Sequence, residues 1–303
     1  KKSIKGSIII ALTLLFLFTI LTLGLMFYRT TYNELIIQTE NDLIELAKMS
    51  AKIIDSRIDG EFKVLETIAG RYIMKDEGIS MEEKLETLKE EEKKNNYHTM
   101  AIVDESGNAI FITGEKTNIK DREYFLDAST TGRGISEPIV SRVDNRINVF
   151  LTVPIKSNTK TIGYILAALE GDILTSVVED IQFSESGRAF MISKDGTFIA
   201  HENRELVLNM DNNFENIKND PELEELVKLQ EKMVKGETGV GIYSYNGERK
   251  ILGYAPIISA NWSIGINVLE SEVLIGLSKV KNIIALGILI SIIISFIIMN
   301  YII

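Results

Sequence analysis

Two stretches of the chain lack charge, and every acidic residue lies between them. No charged residue occurs from Gly6 to Tyr28, where Ile8 to Phe27 is almost wholly aliphatic or aromatic; Asn282 to Ile303 is again uncharged and dense in isoleucine. Each is long enough for the roughly 20 apolar residues that cross a bilayer core, so two transmembrane helices are predicted, the first over 7–28. A cleaved signal peptide competes for the first run, because Lys1, Lys2 and Lys5 resemble its positive start. The run outlasts a signal's apolar core of about 7–15 residues, which favours an uncleaved anchor. It also leads into Tyr28, Arg29 and a polar helix rather than into small residues. The leading lysines favour a cytoplasmic N-terminus, a vote that Lys279 and Lys281 weaken. The region 29–281 is then extracytoplasmic, the chain is a multi-pass cell-membrane protein, and an output region is expected beyond Ile303.

After the first run the apolar positions recur at three- and four-residue steps: Leu35, Leu43, Leu46, Ile53, Ile54, Ile58, Phe62, Leu65 and Ile68, with acids and lysines between. This pattern predicts an amphipathic helix within 29–75. With no proline and Gly60 as its first glycine, some 40 residues of helix are expected, about 60 Å at the usual rise. Its apolar stripe suits pairing with a second copy, or packing of Leu35 to Leu46 on the chain's own modules. Met81 to Asn95 reads as a second helix whose Glu90 to Lys94 charge run is a solvated face.

Farther on the periodicity changes. Met100 to Val103 and Ala109 to Thr113 flank a polar turn, as do Ile147 to Ile155 and Thr161 to Leu169, and an antiparallel sheet follows. The order then repeats. Met100 to Phe111 is echoed by Phe190 to Ile199, and Val153-Pro154-Ile155 with Gly163 to Glu170 by Ala255-Pro256-Ile257 with Trp262 to Glu270. Helical or loop material sits between early and late strands of each copy, over 121–131 and 221–235. Two similar small modules are predicted, 76–180 and 181–270, before an exit helix and second span over 271–303. Because the chain reverses direction, the second module is expected nearer the membrane.

Composition narrows the chemistry. All 43 acidic residues lie between the apolar runs with 30 of the 33 basic ones, which makes nucleic acid and anionic lipid poor partners. The absence of cysteine excludes disulfides and thiolate metal sites, and two distant histidines make a poor donor set, so neither metal nor cofactor is expected. No phosphate loop, nucleophile elbow or His-Glu-x-x-His helix occurs, and the chain is not expected to be an enzyme. Gly236 to Gly241 precedes strand-like residues and reads as a turn. His201, after a strand and beside Glu202, reads as an exposed turn residue. Lys120-Asp-Arg-Glu-Tyr-Phe125 is the segment that looks like binding chemistry. Arg122 can take a carboxylate through two parallel hydrogen bonds between the apolar walls of Tyr124 and Phe125, and Asp172 can meet an ammonium group. Equally, Arg122 pairs with a nearby acid and Phe125 is core.

Several segments together resemble the double Cache sensor regions of bacterial transmembrane receptors over about 28–281. They are Asp121-Arg-Glu-Tyr-Phe125, Ile135-Ser-Glu-Pro-Ile-Val-Ser141, the two Pro-Ile pairs, and Gly187-Arg-Ala-Phe-Met-Ile-Ser-Lys-Asp-Gly-Thr-Phe-Ile-Ala-His201. The resemblance implies an α+β fold: two tandem PAS-like (Cache) antiparallel-sheet modules on a long N-terminal helix, flanked by two transmembrane helices. It implies small-molecule sensing in the membrane-distal module, homodimerisation and signalling to cytoplasmic proteins. A methyl-accepting chemotaxis receptor is the first form; a receptor histidine kinase or diguanylate cyclase is the alternative. The implied ligand residues are Arg122, Tyr124, Phe125, Ile139, Ser141 and Asp172. Two family positions that are normally tyrosines fall on Thr117 and Ile139, so a carboxylate or amine fits about as well as an amino acid.

Overall fold

The structure, a computed structural model, describes residues 4–170 and 173–302. One helix, α1 (Ile4–Ala69), runs unbroken through the first apolar stretch and the amphipathic segment. Its 66 residues join the predicted span to an amphipathic part of the expected length, roughly 100 Å in all at the usual rise. Gly60 does not end it, because a side chain there would meet open space and the helix only forgoes a small propensity term. The turn at Gly70, whose N–H donates to Glu66 O at 2.8 Å, closes the helix.

Short helix α2 (Tyr72–Lys75) leads to α3 (Met81–Asn95), the helix read from its period and started by Ser80, whose hydroxyl accepts the Glu83 N–H. The first sheet contains β1 (Thr99–Val103), β2 (Asn108–Phe111), β3 (Lys116–Asn118), then, past α4 (Glu123–Thr131), β4 (Gly134–Ile135), β5 (Ile139–Val140), β6 (Ile147–Ser157) and β7 (Lys160–Glu170). Helix α5 (Ile173–Glu179) crosses to the second sheet, formed by β8 (Arg188–Ile192) and β9 (Phe198–Ala200), then β10 (Gly239–Tyr245), β11 (Glu248–Ile257) and β12 (Trp262–Leu269). Between β9 and β10 lie α6 (Arg204–Leu208), α7 (Asn213–Asn216) and α8 (Glu224–Val234). The chain leaves through α9 (Glu270–Val273) and α10 (Ile275–Ile302).

Strand order repeats as the sequence does. The first sheet runs β4-β6-β7-β1-β2 and on to β3, with β5 also on β6; the second runs β10-β11-β12-β8-β9. Pro154 and Pro256 hold equivalent places. Each pairs inward, to Tyr164 and Ser263, and each lies past the residue where its outer neighbour strand begins, so no ladder bond is lost to the missing N–H.

Alternation along the strands fixes what covers each face. One face of each sheet turns to α1: Val149, Leu151 and Ile165 in the first, and Ile251, Ile264 and Ile266 in the second, share one core with Leu43, Ile54, Phe62 and Leu65. Most of the predicted apolar stripe of α1 is therefore buried within the chain; Ile53, expected in it, instead faces outward and is exposed. Closest approach comes at Gly253 on β11, where a Cβ would stand 2.7 Å from the Leu43 backbone. The opposite faces are covered by α4 in the first sheet and α8 in the second.

The second sheet packs on the part of α1 that follows its apolar segment, and the first packs beyond it. Asp55 accepts the Ile258 and Ser259 N–H groups of the second module at 3.2 and 2.8 Å, whereas Tyr97 of the first donates to Glu61 at 2.8 Å. At the other end α10 returns beside α1. A Cβ on Gly24 would lie 3.0 Å from Ile284, Lys281 sits 5.5 Å over the Tyr28 ring, and Tyr32 donates to Glu270 at 2.5 Å. Below that contact the large apolar side chains stand bare, among them Leu12, Phe16, Leu23 and Phe27 on α1 and Ile283, Leu289 and Phe296 on α10. Both helices are long and apolar enough to cross a membrane.

Candidate functional site

Residue 122 occupies the cap position of α4, where its extended backbone (φ −80°, ψ 131°) throws the side chain outward and its carbonyl accepts the Phe125 and Leu126 N–H groups at 3.1 Å. The choice breaks a local rule. Serine, threonine, aspartate or asparagine is usual there, and a cation opposes the positive helix end. Its guanidinium reaches Val140 O only at 3.5 Å, and among the described residues no carboxylate pairs with it.

The arginines around it are neutralised. Arg142 grips Asp121 with two bonds of 2.8 and 2.6 Å, which holds the Asp121 carboxyl at about 2. Arg133 forks onto Glu66 at 2.6 and 2.9 Å, reaches Asp59 at 2.8 Å and lies over the Phe62 ring, fastening the first module to α1. Lys194 of the second module pairs with Glu123.

Asp121, Glu123, Arg133 and Lys194 help to line a cavity of about 510 Å³ between α4, the 134–139 strands, α1 and the second module's Ser259 to Trp262 turn. Arg122, Tyr124 and Ile139 line it. Glu137 on the same wall carries a carboxyl pushed up by burial. Tyr124 stacks on Phe150 at 5.4 Å between centroids, and burial pushes its hydroxyl up to about 12.

The other residues expected from the sequence to form the site fall elsewhere, for local reasons. Phe125, one step further round α4, points into the core and meets Tyr164 edge-on at 4.9 Å. Ser141 is 4% exposed, and its hydroxyl accepts the Val143 N–H at 3.3 Å inside the turn before β6. Thr117 sits in β3 opposite Ala109. Asp172 lies outside the described residues. Glu137, Lys194 and the Ser259 to Trp262 turn escape sequence reasoning; the last two come from the other module, and no local pattern marks them. His201 is a correction. It is half-buried rather than exposed, wedged beside Phe198 at 5.3 Å with Nδ1 accepting the Asn203 N–H at 2.9 Å. The apolar residues around the strand end, Phe190 and Phe198, pull its ring inward.

Two copies of one sheet order along a single helix define a double-module architecture. The chain belongs to the Cache domain family, whose double form, dCache_1, matches residues 27–277. Methyl-accepting chemotaxis protein McpG of Pseudomonas putida is 24% identical over 153 residues, 49% of this chain and 22% of McpG, so the chain spans about a fifth of that relative. The ligand-binding domain of the Pseudomonas fluorescens chemoreceptor CtaA, solved with L-isoleucine, superposes with a TM-score of 0.65 at 18% identity, covering 81% of this chain and 98% of that one. The sensory domain of the Campylobacter jejuni chemoreceptor Tlp3 with isoleucine gives 0.61 at 13%, covering 80% and 98%. The extracellular domain of mmHK1S-Z3, named as a histidine kinase, gives 0.65 at 17%, covering 79% and 97%. At these identities the likeness is one of fold.

Proposed function

We propose that this chain is the extracytoplasmic sensor and both membrane spans of a chemotaxis-type receptor, and that it recognises a small carboxylate-bearing molecule beside α4. One observation carries the binding site: Arg122, placed against helix preference on a cavity wall, is the arginine there left without a carboxylate partner among the described residues. A charge drawn partly out of water without a partner is costly, and a ligand carboxylate would satisfy it through two parallel bonds. Glu137, destabilised as an anion by burial, supplies the complementary group for a ligand ammonium, so an α-amino acid is the first class to test. CtaA and Tlp3, solved with isoleucine, support that order.

The membrane part of the reading rests on the bare apolar lengths of α1 and α10 and on their antiparallel contact at Gly24 and Ile284. Signalling then requires only that the ligand favour one of two placements of α10 against α1. A homodimer fits the outward side of α1, where Met49 and Ile53, one turn apart, are exposed. The family's role as a binding module and the absence of a catalytic motif support a sensor that is not itself an enzyme. A receptor kinase carrying the same sensor is the second reading, supported by the likeness to mmHK1S-Z3; a catalytic domain encoded after Ile303 would favour it over a heptad-rich coiled coil.

Calorimetric titration of the common L-amino acids and of small mono- and dicarboxylates tests the site. At least one ligand is expected to bind, and Arg122→Ala should weaken it at least tenfold, since truncating one partner of a desolvated charge pair costs about 2–5 kcal/mol. Unchanged affinity in that variant overturns the assignment.

A further inference from the structure

The second module also holds a cavity, larger than the first at about 710 Å³, on the sheet face turned away from α1. Its place matches that of the α4 cavity under the internal repeat: α8 covers this sheet face as α4 covers the other. The wall is aromatic and aliphatic, with Phe190, Phe198, Leu223 and Tyr243. Polar side chains also line it, Gln230, His201 and Tyr243 among them. Gln230 on α8 is 1% exposed, yet its side-chain Nε2 has no hydrogen-bond partner. His201 uses Nδ1 to accept from the backbone, so the proton of the neutral ring sits on Nε2; burial lowers its affinity for a second proton. Tyr243 is 4% exposed, and among the described residues its hydroxyl makes no hydrogen bond.

Charge decides what such a cavity would take. Glu202 and Glu248 on its wall are paired, with Arg188 at 2.7 Å and Lys250 at 3.2 Å. Asp211 and Asp220 line it with no cation partner among the described residues; Asp211 accepts from Asn216, and Asp220 accepts the Glu222 N–H at 3.2 Å. The Gln230 N–H donor, left unpartnered at 1% exposure, calls for an acceptor, and two carboxylates over an aromatic wall favour a cation, so a ligand that carries both is implied.

We infer that the second module has its own ligand site, for a small hydroxyl-bearing organic amine whose apolar body lies on Phe190, Phe198 and Tyr243, whose ammonium meets Asp211 and Asp220, and whose hydroxyl oxygen accepts from Gln230 Nε2. The site is independent of Arg122 and would let one receptor read two chemistries.

The test uses the full chain in lipid nanodiscs, titrated calorimetrically with 2-amino-1-phenylethanol, 1-phenyl-1,2-ethanediol and 3-phenyllactate. The amine is expected to bind at least tenfold more tightly than the diol or the acid. Gln230→Leu and the double variant Asp211→Asn/Asp220→Asn should each weaken it at least fivefold, and Arg122→Ala should leave it unchanged. Gln230→Leu should also raise the melting temperature of the ligand-free protein, because it removes the unpartnered amide, so a folding defect is not confused with lost binding. No binding of the amine at millimolar concentration, equal binding of the diol or acid, or full affinity in both second-module variants overturns the inference. Loss of amine binding in Arg122→Ala alone would place the amine in the first cavity and overturn it as well.

Discussion

At the scale of single residues, the chemistry of this protein lies in groups whose surroundings leave them incomplete. Both Arg142 and Arg122 act on the charge of Asp121, yet Arg142 pairs with it and Arg122 does not. That difference, rather than the presence of arginine, marks the candidate site. His201 offers a pH test of the second cavity. Burial depresses its folded pKa below the ordinary 6.5, with Glu202 opposing the shift. As pH falls through 6.5 the unfolded chain binds a proton that the folded chain resists, so stability drops from there down to the folded pKa. Urea-unfolding midpoints between about pH 7.5 and 5 should therefore decline less in His201→Phe than in the parent. The carboxylates Asp121 and Glu272, both held at about 2, change protonation well below that window. Equal slopes in the two proteins would contradict a buried neutral imidazole.

The residue scale also separates what was readable from what was not. Arg122 and Tyr124 could be picked out because binding chemistry in a short motif is local. Phe125 looks the same in sequence, and the step of about 100° along α4 turns it into the core. Glu137, Lys194 and Gln230 carry no such signal, since what distinguishes them is a neighbour, or the lack of one, supplied by distant parts of the chain.

At the scale of elements, two glycines should respond in opposite directions. Gly253 lets β11 touch the α1 backbone, and alanine there would force the helix away, at a cost of about 1–3 kcal/mol. Gly60 lies exposed in α1 with open space around it, and alanine should stabilise by roughly 0.5–1 kcal/mol. Chemical denaturation of the two variants checks both signs; a neutral Gly253→Ala would mean that α1 is not seated on the second sheet. Helix α3 was legible because burial of one face imprints a period on the sequence, and β6 and β7 because burial on both faces makes long apolar runs joined by a polar turn. Strands β3, β4 and β5, at two or three residues, were not, because pairing to β2 or β6 rather than intrinsic preference holds them. Helices α6 and α7 are similarly short and rest on the caps Asn203 and Asn212.

At the scale of the whole molecule, the duplicated modules are joined side by side by a single rod that continues into the first apolar length. Tyr32 on that rod donates to Glu270, which Arg249 also holds at 3.1 Å, so the end of β12, the start of α10 and α1 meet at one point. Motion of either sheet against α1 would reach α10 through that junction. The central claim is that α1 and α10 cross one membrane side by side with both sheets beyond it. Because the chain has no cysteine, the pair Gly24→Cys/Ile284→Cys can test it in native membranes under mild oxidation. A Cβ at residue 24 would touch the Ile284 side chain, which brings the two Cβ atoms close to the roughly 3.5–4.5 Å that a disulfide spans. Rapid cross-linking within one chain is expected, and much slower cross-linking for Leu25→Cys/Ile284→Cys, whose α1 position faces outward. Equal rates for the two pairs, or no cross-link at residue 24, would contradict the account.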